Sequence, residues 1–356
     1  MFTRYADTKR ILCAFIFFLL ICIVPLYTAE GAAGKISDMK GKVSYRDRSN
    51  VPYLAAKKGI SFEKGYWIKT GADGWAVLTL SDGSKMTLAN NTELQITEFV
   101  IGKKSKDGVF SMTQGKLRAS VTRLAGERVN YTVKSPTAVA GIKGTDFMMM
   151  AQGQANVFFG NEGVAEISGD TTDSKPLAGD TMVQNTRGYT PTEPVQVKPD
   201  TPLYTAKKDF EAITAATPPT DWEISGNLPH IIAKWNIQYG HYLADAGKYD
   251  DALYVFQIAL DLTSLPEIRS EARLERGAVY SRFLANAEAA LSEYLLVLEE
   301  YPQGPQRETA LYLVGMTLYE LGFKDQAKER LLQYKKEYPA GKHLNNIETI
   351  LNEISK

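Results

Sequence analysis

The spacing of apolar residues changes character along the chain. From Ile11 to Leu26 the residues form one apolar run, ILCAFIFFLLICIVPL. From Lys35 to about Gly188 the apolar positions recur every second residue in short stretches. From Pro229 to the end they recur every third or fourth residue. A period of two marks strands, and a period near 3.6 marks amphipathic helices. The expected fold class is therefore multidomain, β then α: an all-β sandwich or roll followed by an α-helical solenoid.

The clearest strand signal is WAVLTLSDGSKMTLANNTELQITEF. Trp75, Val77 and Thr79 alternate with Ala76, Leu78 and Leu80. Ser81-Asp82-Gly83-Ser84 then reverses the chain, with Gly83 free to take the positive φ of a tight hairpin. Met86, Leu88, Leu94 and Ile96 resume the alternation. VFSM, KLRASV, NYTV, DFMMM, ANVFF and VAEIS read in the same way. The pattern predicts antiparallel sheet with one buried face.

After Thr190 the proline-rich stretches TPTEPVQVKPDTP and TPPTDWEISGNLP frame a short helix over Tyr204 to Ala216. Residues 190–228 read as a linker. The helical part beyond it repeats itself. Gly240 and Leu243 precede Ala252 and Phe256; Gly277 and Tyr280 precede Ala290 and Tyr294; Gly315 and Leu318 precede Ala327 and Leu331. The glycines fall 37 and 38 residues apart. This pattern resembles the tetratricopeptide repeat, a helix–turn–helix unit with a period of about 34 residues. The resemblance implies a stack whose first helices line a concave groove that takes a peptide or a helix. The partner-binding candidates are Lys234, His241 and Asp245 in the first repeat, Glu271 and Arg282 in the second, and Tyr312 and Tyr319 in the third. HLNNIETILNEIS would cap the stack.

The stretch SPTAVAGIKGTDF holds two glycines, a lysine and a threonine, the ingredients of a phosphate-cradling loop. A P-loop needs four residues between its glycines and a Lys directly before Ser or Thr. Only Ile142 and Lys143 separate Gly141 from Gly144, and Gly144 parts Lys143 from Thr145. A dinucleotide fingerprint needs a following helix, and strand-like DFMMM follows instead. The spacing predicts a bulge or a tight backbone crossing, with Lys143 facing outward.

GYWIKTGADGWAVLTLSDGSKMTLANNTEL and KSPTAVAGIKGTDF together resemble the FecR domain. The first stretch carries Thr70, Gly71, Gly74, Ala76, Leu78, Leu80, Asp82, Gly83 and Ser84; the second carries Pro136, Ala138, Ala140, Gly141, Gly144, Thr145 and Phe147. Lys143 stands where the family usually has Arg. The resemblance implies an envelope sensor that relays a signal to a sigma-factor-binding segment. Ten residues precede the apolar run here, too few for such a segment.

The N-terminal run has a basic flank, Arg4, Lys9 and Arg10, and a small-residue exit, AEGAAG. It reads as a signal peptide cut near Gly31 to Ala33, or as an uncleaved anchor. Either reading exports the rest, and the periplasm is the expected location. Both cysteines, Cys13 and Cys22, lie inside this run, so the remainder has no thiol chemistry and no disulfides. The expected organisation is 1–33 signal or anchor, 34–189 FecR-like β-domain, 190–228 linker, and 229–356 tetratricopeptide-like repeats.

Net charge is zero, which argues against a nucleic-acid binder. It is unevenly spread: residues 34–150 hold 19 Lys and Arg against 10 Asp and Glu, and residues 228–356 hold 14 against 18. Three histidines and no nearby cysteine make no metal set, no Gly-x-Ser-x-Gly elbow is present, and the paired carboxylates are adjacent in sequence, so they diverge on a helix. No catalytic residue, cofactor or metal is therefore expected. The expected partner is an envelope protein or peptide in the repeat groove, with a glycan or small ligand at the β-domain as the alternative, sensor-like reading. Membrane contact is expected only through the N-terminal segment.

Overall fold

The computed structural model describes residues 31–169 and 173–355; the apolar N-terminal run lies outside them. Residues Ala32–Lys356 form one compact unit. Its β part is two sheets that share one long strand. Sheet A runs in the order β4 (Ser61–Phe62), β1 (Gly34–Lys40), β6 (Trp75–Leu80), β7 (Lys85–Leu88), β9 (Ser105–Ser120), β12 (Asp146–Gln152), β13 (Ala155–Glu162), β16 (Thr181–Thr186) and β17 (Val195–Gln196). Sheet B runs β3 (Leu54–Ala55), β2 (Val43–Arg46), β5 (Trp67–Thr70), β8 (Glu93–Ile101), then β9 again, β10 (Arg128–Lys134), β11 (Val139–Ile142), β14 (Val164–Ser168) and β15 (Ser174–Ala178).

Strand β9 crosses from one sheet to the other at Gly115. That residue has φ +117, and a side chain there would run into Thr92, so only glycine makes the bend. The bend returns the chain to its own start: Lys106 Nζ donates to the Thr122 carbonyl at 3.4 Å. The next strand, β10, then pairs with β9 in parallel, Arg128 opposite Ser105. This is the one departure from the antiparallel pairing expected among these strands.

The expectation of one buried face holds for sheet B and fails for sheet A. Ala76, Leu78, Phe147, Met149 and Phe158 fill the core between the sheets, with Phe110 and Tyr131 from the other side. The alternate residues of the same strands, Met148, Met150, Val157 and Phe159, are equally buried but belong to a second core. Helices cover them. Phe210 meets Phe159 edge to face, with ring centroids 6.3 Å apart.

The segment read as a linker is part of this cover. Helix α1 (Pro202–Ile213) starts at Thr201, whose hydroxyl accepts from the Tyr204 N–H at 3.2 Å, with Pro202 in the first turn. It buries Leu203, Ala206, Phe210 and Ile213. Helix α2 (Glu223–Asp245) begins before the expected boundary at 229 and contains Pro229. As the seventh residue it lies past the first turn and removes the N–H that would bond the Ser225 carbonyl, and the burial of Leu228, Ile232 and Ala233 around it holds the helix. The short helix expected over Tyr204 to Ala216 is α1, and what proline content hid is that it packs on the sheet and that α2 starts ahead of Pro229.

A buried polar seam fixes how helices and sheet meet. Gln184 and Asn236 exchange two amide hydrogen bonds, at 2.6 and 3.0 Å. Ser225 donates to Asn90 at 2.5 Å, and Thr186 to Asp261 at 2.6 Å. Behind them Asn185 donates to the Thr137 carbonyl and Asn156 to the Thr137 hydroxyl, each at 2.7 Å. Stranding one such buried group costs about 1–3 kcal/mol, so the seam selects one docking geometry.

Thr137 belongs to the glycine-rich stretch considered above. Gly141 sits in a regular ladder between Thr132 and Glu166. Gly144 turns the chain at φ +97 against the Arg123 side chain, Lys143 points into solvent, and the strand bulges between Asp146 and Phe147. The stretch is a β corner, and no helix follows it to receive a phosphate.

The remaining helices are α3 (Tyr249–Leu262), α4 (Pro266–Arg282), α5 (Ala287–Glu300), α6 (Arg307–Glu320), α7 (Lys324–Glu337) and α8 (Leu344–Ile354). They pair as α2 with α3, α4 with α5 and α6 with α7. A Cβ on Gly240, Gly277 or Gly315 would clash with Phe256, Tyr294 or Leu331 respectively. The small–large spacing seen in the sequence is thus the contact within each pair. Ala252, Ala290 and Ala327 are fully buried beside it.

Lys116 lies opposite Met150 in the ladder, on the helix-covered face of sheet A, and is 6% exposed. Its ammonium has no carboxylate partner among the described residues. Burial pushes its pKa down from 10.5 to about 8. The charge still persists at pH 7, at a cost of about 3 kcal/mol. Because the folded pKa is the lower one, this penalty is complete below pH 8 and fades as pH rises toward 10.5. Lys116→Met is expected to stabilise the protein at pH 7 by about 2–3 kcal/mol, less at pH 10. Denaturant unfolding of both forms at the two pH values checks this; an equal gain at both would rule out the charge as its source.

Candidate functional site: the groove of the repeats

The first helix of each repeat presents one face to its pair and to its neighbours, and another to solvent. On α2 the solvent face carries Lys234, His241 and Asp245, all exposed. On α4 it carries Glu271 and Arg282, also exposed. The two helices lie side by side, and His241 Nδ1 comes within 3.5 Å of Glu275 Oε2. A concavity of about 90 Å³ opens between them, lined by His241, Asp245, Phe256, Glu275, Ala278 and Arg282. Its floor is small and apolar, from Ala244, Ala278 and Val279, and its rim is charged.

Glu275 sets the electrostatics of this hollow. Its side chain is 31% exposed, and burial raises its pKa; His241 and Arg282 act against that rise, and the like charge of Glu271 adds to it. His241, Asp245 and Arg282 are therefore brought together, with Glu271 beside them. Lys234 lies on the same face of α2, two turns toward its N-terminus.

Glu275 was not singled out from the sequence, although a signal existed. It stands two residues before the repeat glycine Gly277 and one helical turn before Ala278, the position 37 residues after His241, which places it beside His241 on the neighbouring first helix. A second omission is the aromatic row on α2. Trp235 and Tyr239 stack at 4.8 Å, and Tyr239 and Tyr242 at 6.1 Å. Their spacing in WNIQYGHY follows one helix face. Tyr239 of this row lines a cleft of about 180 Å³ with Thr190–Glu193, Tyr254 and Asp251, where the β part meets the first repeat. Tyr254 donates to the Thr190 carbonyl at 2.7 Å and stacks on Tyr189 at 4.5 Å.

The third repeat is different. Tyr312 stacks face to face on His343, with centroids 3.8 Å apart, and its hydroxyl is held by Asn346. The Tyr319 hydroxyl donates to Glu353 at 2.9 Å. Both tyrosines are occupied by α8 and its approach. The open hollow therefore lies over the first two repeats, while α8 covers the third.

Several other charges of the array bind its helices to one another. Arg273 reaches Glu293 at 3.2 Å and Glu300 at 2.5 Å, Arg276 reaches Glu293 at 3.0 Å, and Arg307 reaches Glu337 at 3.0 Å. Among the described residues, no three His, Cys, Asp or Glu side chains are placed to hold a metal. No helix there is long and apolar enough to cross a membrane.

Residues 67–165 match the family FecR protein. The matched stretch runs from β5 to β14 and includes both boxes, so this is a FecR region joined to a tetratricopeptide-like stack. Among solved structures, a candidate anti-sigma factor from Parabacteroides distasonis is similar at 18% identity and TM-score 0.32, over 40% of this chain and 64% of that one. This chain thus matches less than two thirds of that protein's length. Two others are similar over about a third of this chain. PcrH from Pseudomonas aeruginosa has 19% identity and TM-score 0.30, over 35% of this chain and 92% of its own. The second TPR domain of human RPAP3, solved with an HSP70 peptide, has 19% identity and TM-score 0.30, over 36% and 98%. No curated protein matches the sequence.

Tyr312→Ala removes the ring stacked on His343 and the hydroxyl held by Asn346. Losing that contact is expected to cost α8 about 1–2 kcal/mol of docking energy. Amide exchange over residues 344–354 should then quicken by roughly five- to thirtyfold, with the β-sheets unaffected. Unchanged protection of α8 would mean that its apolar contacts alone hold it.

Proposed function

We propose that the protein is a non-enzymatic adaptor of the cell envelope that holds a partner protein segment in the groove between α2 and α4. The observation that carries this reading is the hollow at His241, Glu275 and Arg282. It combines an apolar floor with a charged rim, on which Asp245 and Arg282 have no ion-pair partner among the described residues. The FecR region supports an envelope setting. An apolar N-terminal run and the absence of cysteine after it support the periplasm.

Deleting the repeats would be a poor test, since it would strip the cover from Met148, Met150 and Phe159. Surface charge is the better handle. Glu271→Lys combined with Arg282→Glu keeps the net charge and reverses the local field. It is expected to weaken partner capture in intact envelopes by about tenfold or more, with the unfolding temperature unchanged. Capture at the wild-type level would remove the groove from consideration.

A sensor-like reading draws on a different feature, the aromatic cleft at Tyr239 and Tyr254. There a glycan or small ligand would bridge the FecR region and the first repeat. Such a ligand would raise the unfolding temperature of the whole chain and would be indifferent to the groove variant.

A further inference from the structure

One end of the β sandwich combines exposed aliphatic side chains with unpaired cations. The turn after β8 and the loop before β10 meet there, since the Arg128 N–H donates to the Lys104 carbonyl at 3.0 Å. Val100 and Ile101, the last residues of β8, are 57% and 43% exposed, and Leu124 in the loop before β10 is 60% exposed. Around them stand Lys103, Lys104, Arg123 and Lys143, all exposed, with no ion-pair partner among the described residues. Lys143 joins the group because Arg123 donates to its carbonyl at 3.4 Å.

The acidic groups at this end are largely spent. Lys106, 5% exposed, binds Asp82 at 3.4 Å and Glu127 at 2.9 Å. Asp107 lies 3.8 Å from Arg128. Glu98 is exposed farther back along β8. The field outside the tip is therefore positive. The chain also emerges into the β part here. The Ala33 carbonyl accepts from Ser81 at 2.9 Å, and Ser84 Oγ of the same hairpin accepts from the Thr122 N–H at 3.1 Å. Ala33, near the start of the described residues, is thus held at this same end of the sandwich.

We propose that this tip docks on an anionic phospholipid surface. Ile101, Val100 and Leu124 enter the headgroup boundary, and Lys103, Lys104, Arg123 and Lys143 meet the lipid phosphates. Aliphatic insertion and cationic attraction are each weak alone and reinforce one another at a bilayer. Membrane contact then extends beyond the N-terminal segment, the only contact expected from the sequence.

The test uses residues 32–356, which hold every core described above and form one compact unit, in flotation with vesicles. Binding is expected to vesicles of phosphatidylglycerol and phosphatidylethanolamine, not to phosphatidylcholine alone, and to fall as salt rises. Lys103→Glu with Lys104→Glu should weaken it by about tenfold or more. Ile101→Ser with Leu124→Ser should also weaken it, at unchanged unfolding temperature. Lys328→Glu with Lys336→Glu, an equal change of charge on α7, should alter it by less than about twofold. Absence of binding to the anionic vesicles overturns the proposal. So does equal weakening by the α7 pair. Indifference to the serine pair overturns it as well, since the tip would then be a site for soluble polyanions.

Discussion

Sheet A has two apolar faces, and the rest of the architecture answers to that. Met148, Met150, Val157 and Phe159 turn away from the sandwich interior and would meet water if the β part stood alone. Fully burying an aliphatic or aromatic side chain is worth about 1.5–3 kcal/mol, so leaving this row bare would cost much of a domain's marginal stability. Helices α1 to α3 provide the cover. The amides of Gln184 and Asn236 then decide where those helices sit, because any shift would strand them without partners. Apolar burial supplies the drive, and the polar seam supplies the register.

The same division of labour shapes the helical stack. Gly240, Gly277 and Gly315 let paired helices approach, and Phe256, Tyr294 and Leu331 fill the space left open. Arg269, Arg273 and Arg276 on α4 are turned toward its neighbours, where Glu293 and Glu300 meet them. Lys234, Asp245, Glu271 and Arg282 make no ion pair among the described residues and stay on the open face, with His241 beside them held by Glu275. Tyr312 and Tyr319 share the repeat position of such residues, but α8 follows α7 and lies where the first helix of a fourth repeat would lie.

Local periodicity was legible because it reflects short-range geometry. The alternation of Trp75 to Leu80, the turn at Gly83 and the glycine–aromatic spacing of the repeats each involve neighbours in sequence or in one helix pair. Features set by distant segments were not legible. DFMMM looks like any half-buried strand until α1 is known to lie over it. TPTEPVQVKPDTP looks like a linker because proline content says nothing of Phe210 and its seat on Phe159. The parallel pairing of β10 with β9 follows from the bend at Gly115, which a single glycine in a strand does not announce. Within the groove, the first-helix residues could be placed on a face, but whether α8 covers that face depends on the third dimension.

Two lysines buried to a similar degree illustrate how the parts are joined. Lys106 sits among Asp82, Glu127 and the Thr122 carbonyl, and its pKa is raised chiefly by the bond to Glu127. Lys116 faces the helices without a carboxylate, and its pKa is lowered by burial. Lys106 ties together segments within the β part, whereas Lys116 carries the cost of covering that part with helices. Helix α2 stands between these consequences. Leu228, Ile232 and Asn236 on one side bind it to the sheet, and His241 and Asp245 on the other face the groove. A rigid helix cannot serve one side without affecting the other. By linkage, whatever binds the groove and requires α2 in its docked position must also stabilise the cover over the FecR region. Conversely, whatever strains that cover must weaken the groove by the same free energy. The fusion of a β sandwich to a short repeat stack is therefore a thermodynamic coupling as well as a covalent one.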